Sequence, residues 1–351
     1  MLGMLLNLPY SHKLSMITSN RLYWVKLLKI CQTKYGYRGW LKIKHDETTG
    51  LASLYKDTGE FFRLIKPNCW DLETRIIEMS QTSVDMQVLS TVPVMFNYWA
   101  KPKDTLDLCK FLNDDIANSV SKHPNKFIGL GTIPLQDPLL CVEELKRLKM
   151  TKGMHGIQIG THVADYDFDN AFFDPVFKTC EDLDLSIFVH PWDMPSGKRY
   201  NKFWMPWLVG MPNETTIALL SFLMGGILLK YPKLKICFAH GGGSFPYTMG
   251  RIDHGYNVCP NLCATACNQC PSSFIGNFYT DSLVHNDQTL DFLVKVIGEN
   301  KVCMGSDYPF PLGEHNPGSL IEESSFSKKT KDKLLAKNAA EFLGITDPML
   351  F

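Results

Sequence analysis

The sequence predicts an α/β fold, a closed (β/α)8 TIM barrel, and three observations carry that prediction. From Val84 onward, short β-forming runs alternate with amphipathic helical stretches, and seven such strands are countable. Strands separated by helices run parallel, and a closed ring of eight is the common architecture nearest to seven. Several of these strands end in residues able to bind a metal or move a proton, as expected where one barrel face gathers the chemistry. An open doubly wound sheet is the alternative, but no Gly-rich phosphate turn follows an early strand to recommend it.

Taken in order, residues 1–35 are an atypical amino-terminal segment. Met1–Leu8 is apolar, Pro9–Asn20 is polar with turn formers, and Arg21–Ile30 reads as a short amphipathic helix or strand. The first barrel strand has to lie here, in the stretch that suits one least. Residues 36–68 hold three short β-rich runs, Trp40–Lys44, Leu51–Lys56 and Glu60–Lys66, separated by DETTG and KDTG turn chemistry, and predict a small antiparallel insertion. Residues 69–345 form the barrel proper. Asp71 is positioned to cap a helix over Trp70–Thr82. Strands follow at Val84–Thr91, Phe127–Thr132, His155–Ile159, Ser186–His190, Lys235–Ala239, Gly276–Asp281 and Lys301–Asp307. The intervening helices are Lys103–Lys122, Pro138–Lys149, Phe173–Asp182, Thr215–Lys230 and Thr289–Gly298, and Ser327–Leu343 closes the chain.

Composition sets the class. The 351 residues are 45% hydrophobic and 21% charged with a formal net charge of +0, so neither a nucleic-acid surface nor a polybasic membrane anchor is indicated. No run of about 18 apolar residues spans a membrane, and no secretory signal is recognisable. Eleven cysteines with mostly irregular spacing fit a reducing, cytoplasmic setting. Cys259, Cys263, Cys267 and Cys270 could hold zinc, but they lack paired C-x2-C knuckles and read as free loop thiols.

Three strand ends carry the chemistry. FVHPWD brings His190 and Trp192, FAHGGG brings His240, and GSDYPFP brings Asp307. Two imidazoles and a carboxylate on one barrel face suit a mononuclear metal, zinc best. The HGGG run also occurs as an esterase oxyanion hole, but that fold needs a G-x-S-x-G elbow, which this sequence lacks. His12, His45 and His123 lie in polar or loop contexts and read as structural.

These motifs, together with LSTVPVMFNYWAKP (Leu89–Pro102) and QIGTHV (Gln158–Val163), resemble the aminocarboxymuconate-semialdehyde decarboxylases of the amidohydrolase superfamily. The resemblance runs from about Tyr35 to Leu343. It implies a zinc-dependent barrel that decarboxylates 2-amino-3-carboxymuconate 6-semialdehyde without oxygen or an organic cofactor. That reaction belongs to tryptophan (kynurenine) catabolism and limits quinolinate and NAD synthesis. By the same resemblance, His190 and Asp307 ligate zinc, His240 is the acid/base group beside the metal, and Asp307 also relays a proton. Arg63 binds a carboxylate of the dicarboxylate substrate, Arg251 acts from a neighbouring subunit of a homodimer, and Trp192 lines the pocket.

One departure stands out. The family carries an H-x-H pair on its first strand, and this sequence has none; upstream of Gly36 its only histidine is His12. The expectation is that residues 1–34 derive from an alternative or mispredicted first exon, that the first strand is lost, and that zinc is held weakly by two ligands. The competing readings are a metal-deficient isoform that still dimerises, and a related amidohydrolase-type carboxylate decarboxylase or hydratase.

Overall fold

The computed structural model describes residues 12–16, 34–56 and 58–346; the expectations for Met1–Leu8 and Arg21–Ile30 lie outside them. Eight parallel strands form one sheet: β1 (Leu14–Met16), then β5 (Met86–Leu89), β6 (Phe127–Gly131), β7 (Met154–Ile159), β8 (Ser186–Val189), β9 (Ile236–Phe238), β10 (Tyr279–Asp281) and β11 (Val302–Cys303). A parallel bridge between Met16 and Gly305 brings its two edges together, with Met16 N donating to Met304 O at 2.8 Å. The ring is therefore nearly closed, and the open sheet is excluded.

The expected loss of the first strand is corrected here. Lys13–Met16 carries few β formers, yet Leu14 and Met16 are almost fully buried against Met86, Val88 and Cys303. Ser15 turns the other way and donates to Ser306 Oγ at 2.9 Å. Three residues between two formed neighbours need no intrinsic propensity of their own, because the flanking ladders and the burial decide their conformation.

Residues alternate across each strand. One set, including Phe127, Ile157, Ile187, Phe238 and Val302, packs against the surrounding helices. The other, including Ile128, Phe188, Cys237, Tyr279 and Cys303, fills the barrel interior. Phe342 and Leu343 of the last helix (Asn338–Leu343) join that interior cluster. Ser186 Oγ donates to the Phe342 carbonyl and His155 Nδ1 to the Leu343 carbonyl, so this helix seals the amino end of the barrel.

The insertion forms as expected: β2 (Leu41–Asp46), β3 (Leu51–Lys56) and β4 (Phe61–Ile65) make an antiparallel sheet. Asp71 caps the helix Leu72–Gln81 by accepting from Thr74 N at 2.8 Å. Two long predicted helices are broken. Thr215–Lys230 becomes Met211–Met224 and Ile227–Lys230, separated where Gly226 takes φ +70°. Ser327–Leu343 is interrupted by a wide helical turn at Lys333–Lys337. Among the described residues, no helix is long and apolar enough to cross a membrane.

Candidate metal and substrate site

At the carboxyl end of the barrel, three strand ends converge. His190 follows β8 directly, His240 follows β9, and Asp307 follows β11. The ligand atoms of His190, His240 and Asp307 all lie within 4.8 Å of one another, the one such group of three found among the described residues. The two imidazole rings are 4.9 Å apart, edge to face, and His190 Nε2 is 3.9 Å from Asp307 Oδ1.

His190 shows the fit to a cation most clearly. Its Nδ1 faces the Pro191 carbonyl at 3.0 Å, and a carbonyl can only accept, so Nδ1 carries the proton. That tautomer leaves a lone pair on Nε2, which is buried and has no hydrogen-bond partner. A buried acceptor without a partner is costly unless something occupies it. A carboxylate and a second imidazole at the same point supply donors of the kind that bind zinc and neighbouring divalent ions. Burial and the neighbouring His190 push His240 down to about 3, against the opposing charge of Asp307. At neutral pH its imidazole is uncharged.

The His240 turn is built by the glycines. His240, Gly241, Gly242 and Gly243 all have positive φ, from +56° to +77°. A Cβ on Gly243 would lie 2.1 Å from the Pro212 carbonyl oxygen, and one on Gly241 2.7 Å from Val284 Cγ1. Only glycine meets both demands.

A cavity of about 670 Å³, counted to its solvent mouth, opens above His190 and Asp307. The small sheet contributes Phe62 and Arg63 to it. The loop after β8 contributes Trp192, Trp204 and Trp207, and the loop after β11 contributes Phe310. Arg63 sits 4.9 Å above the Phe310 ring and makes no hydrogen bond or ion pair among the described residues. Burial pulls its pKa down while Asp307 opposes the shift, but a guanidinium stays charged. Trp192 meets Phe62 edge-on at 6.3 Å.

Other expected residues fall elsewhere. Arg251 is exposed on the helix Phe245–Val258 and does not line this cavity. His12 sits at the amino end of β1, 3.6 Å from Asp85, at the opposite end of the barrel from His190. It therefore cannot stand in for a missing ligand. Residues 17–33 contain no histidine, aspartate or glutamate. Cys259, Cys263, Cys267 and Cys270 are free thiols, and no three of them gather into a metal-binding group.

Sequence reasoning missed Asp281, the last residue of β10, which is 3% exposed. Its Oδ1 accepts from Gly241 N at 2.9 Å and Leu283 N at 3.1 Å. Burial pushes it up to about 6 despite these bonds. The signal was present: an acid ending a strand on the same face as the other three.

Residues 60–345 match the amidohydrolase family model. The chain is 51% identical to 2-amino-3-carboxymuconate-6-semialdehyde decarboxylase of Dictyostelium discoideum, with 90% of this chain and 87% of that protein covered. It is 41% identical to the protein of the same name from Caenorhabditis elegans, covering 91% and 92%. Among solved structures, 5-carboxyvanillate decarboxylase from Sphingomonas paucimobilis superposes with a TM-score of 0.79 at 22% identity, covering 96% of this chain and 100% of that one. Dihydroxybenzoic acid decarboxylase from Polaromonas, solved with manganese and an inhibitor, gives 0.76 at 20% identity, covering 97% and 99%. At such identities the structural likeness speaks for the fold. The relatives at 51% and 41% identity and the family model show the family: this chain belongs to the amidohydrolase family and, within it, to the 2-amino-3-carboxymuconate-6-semialdehyde decarboxylases.

Proposed function

We propose that this chain decarboxylates 2-amino-3-carboxymuconate 6-semialdehyde to 2-aminomuconate 6-semialdehyde, with zinc held by His190 and Asp307 and with His240 as the acid/base group. The observation that carries this reading is the convergence of His190, His240 and Asp307 beneath one unpaired arginine in an apolar cavity. When bound, zinc supplies Lewis-acid activation at the floor of that cavity.

The protein's own residues supply the rest. Arg63 offers a planar fork of donors that matches a carboxylate in a bidentate pair. Phe62, Trp192, Trp204, Trp207 and Phe310 exclude water around the bound substrate. A carboxylate losing its hydration there moves toward neutral CO2, which needs little hydration, so the apolar wall favours departure over retention. His240, beside the cavity floor, takes a proton from solvent on a ring nitrogen and delivers it to carbon, where the electron pair left as CO2 departs forms the new C–H bond. Arg251 lies away from its own cavity, which supports a homodimer in which it completes the partner's site. The setting that fits is cytosolic tryptophan catabolism, upstream of quinolinate and NAD synthesis.

The reading is tested by following the absorbance decay of the aminocarboxymuconate semialdehyde beside aromatic carboxylic acids, with zinc added. Turnover of the semialdehyde and none of the aromatic acids is expected; the reverse preference overturns it. The position of His12 favours a second reading, a metal-poor form that dimerises with an active subunit. An active partner whose turnover is unchanged on mixing rejects that form.

A further inference from the structure

Nothing bonds to the imidazole of His240 among the described residues, so its aim depends on the backbone that carries it. That backbone is strained at His240, which holds φ +56° with a side chain, while the three glycines after it continue at positive φ. Such conformations persist only where surrounding structure over-determines them. The structure shows what does so. Asp281 Oδ1 accepts from Gly241 N at 2.9 Å and from Leu283 N at 3.1 Å, tying the turn after β9 to the end of β10. The next residue does the same for the other arm: Ser282 Oγ accepts from Gly305 N at 3.2 Å, two residues before Asp307. Gly305 lies so close that a Cβ there would sit 2.7 Å from Asp281 Cγ. Asp281 and Ser282 are thus wedged between the segments carrying His240 and Asp307, and neither lines the cavity or belongs to the metal-binding group.

We propose that the Asp281–Ser282 end of β10 is the positioning element of this site, with Asp281 aiming His240 through Gly241 and Ser282 placing Asp307 through Gly305. The catalytic part of the proposal rests on the decarboxylase reading. Hydrogen bonds donated by backbone amides to a carboxylate are among the stronger ones. An error of about 1 Å in a reacting group costs about 100-fold in rate.

The test compares the full chain with Asp281→Ala, Asp281→Asn and Ser282→Ala, all with zinc added. Asp281→Ala is expected to lower kcat about 100-fold with little change in KM, because positioning and not substrate binding is lost. Amide exchange at Gly241 should accelerate, and the magnetisation-transfer contact between the His190 and His240 rings should vanish. Asp281→Asn keeps an acceptor oxygen and should restore all three. Unchanged kcat and slow Gly241 exchange in Asp281→Ala overturn the proposal, and so does equal loss in the Ala and Asn variants. A wild type that does not turn over the semialdehyde overturns the decarboxylase reading instead; exchange and the ring contact then decide the positioning claim. Should Asp281→Ala fail to fold, Ser282→Ala decides: faster Gly305 exchange and zinc binding weakened about tenfold are expected, and no change in either overturns the proposal.

Discussion

Gly243→Ala measures how tightly the His240 turn is built. Gly243 has φ +66° and ψ −131°, a combination nearly exclusive to glycine. Its added Cβ would lie 2.1 Å from the Pro212 carbonyl oxygen and 2.7 Å from Thr216 Oγ1. The first neighbour is backbone on the helix Met211–Met224, so no rotamer change relieves it. Backbone strain costs about 1–3 kcal/mol, and the overpacking adds about 1–3 kcal/mol. Spread over the unfolding entropy of a chain this long, the two lower Tm by about 3–8 °C. Gly250→Ala is the control: it lies on the helix Phe245–Val258, with nothing within 4 Å of its Cβ and no positive φ. There alanine gains up to about 1 kcal/mol of helix propensity. Calorimetry on both variants, with decarboxylation measured alongside, checks the reasoning. A Gly243→Ala variant melting with the wild type, or a Gly250→Ala variant melting as low as Gly243→Ala, refutes it.

Three other outcomes are expected. Arg63→Ala should raise KM at least tenfold, since it removes the bidentate partner of a substrate carboxylate, worth about 1.5–3 kcal/mol; Arg63→Lys should recover only part of the loss, as steady-state kinetics will show. Glu314, half-buried and pushed up to about 7 by desolvation, is protonated when folded but ionised when unfolded between about pH 4.5 and 7. Its contribution therefore falls as pH rises through that window, and Glu314→Gln should raise stability at pH 8 by up to about 3 kcal/mol, read as a higher Tm, and leave it unchanged at pH 4. Mixing inactive Arg251→Ala with inactive His190→Ala should regenerate activity, because one site of the mixed dimer has both residues; continued inactivity contradicts the role of Arg251 in trans.

The sequence made much of this legible, for physical reasons. Buried parallel strands such as SIFV and ICF are short apolar runs bounded by polar turns, and they stand out without any alignment. His190, His240 and Asp307 were found because each ends such a run, and strand ends share one face. What stayed hidden depended on tertiary context. Leu14–Met16 is a strand because β5 and the end of β11 flank it, and nothing in KLSM announces that. The break at Gly226 comes from its positive φ and the one at Lys333–Lys337 from a wide turn, and apolar periodicity announces neither. Nothing in their spacing places Trp204 and Trp207 in one cavity with His190, as the fold does. Asp281 shows in the sequence as an acid ending a strand; its task of holding a neighbouring backbone leaves no mark there.

Zinc at His190 and Asp307 is the central element of the proposed function. The most direct measurement is zinc bound per chain, by equilibrium dialysis with metal analysis, read together with turnover after chelation and reloading. The predicted result is readily lost zinc, turnover that disappears with it and returns to a plateau as zinc is restored, and no saturable binding in His190→Ala. Full turnover in the chelated chain, or zinc held as firmly by His190→Ala as by the wild type, would contradict it.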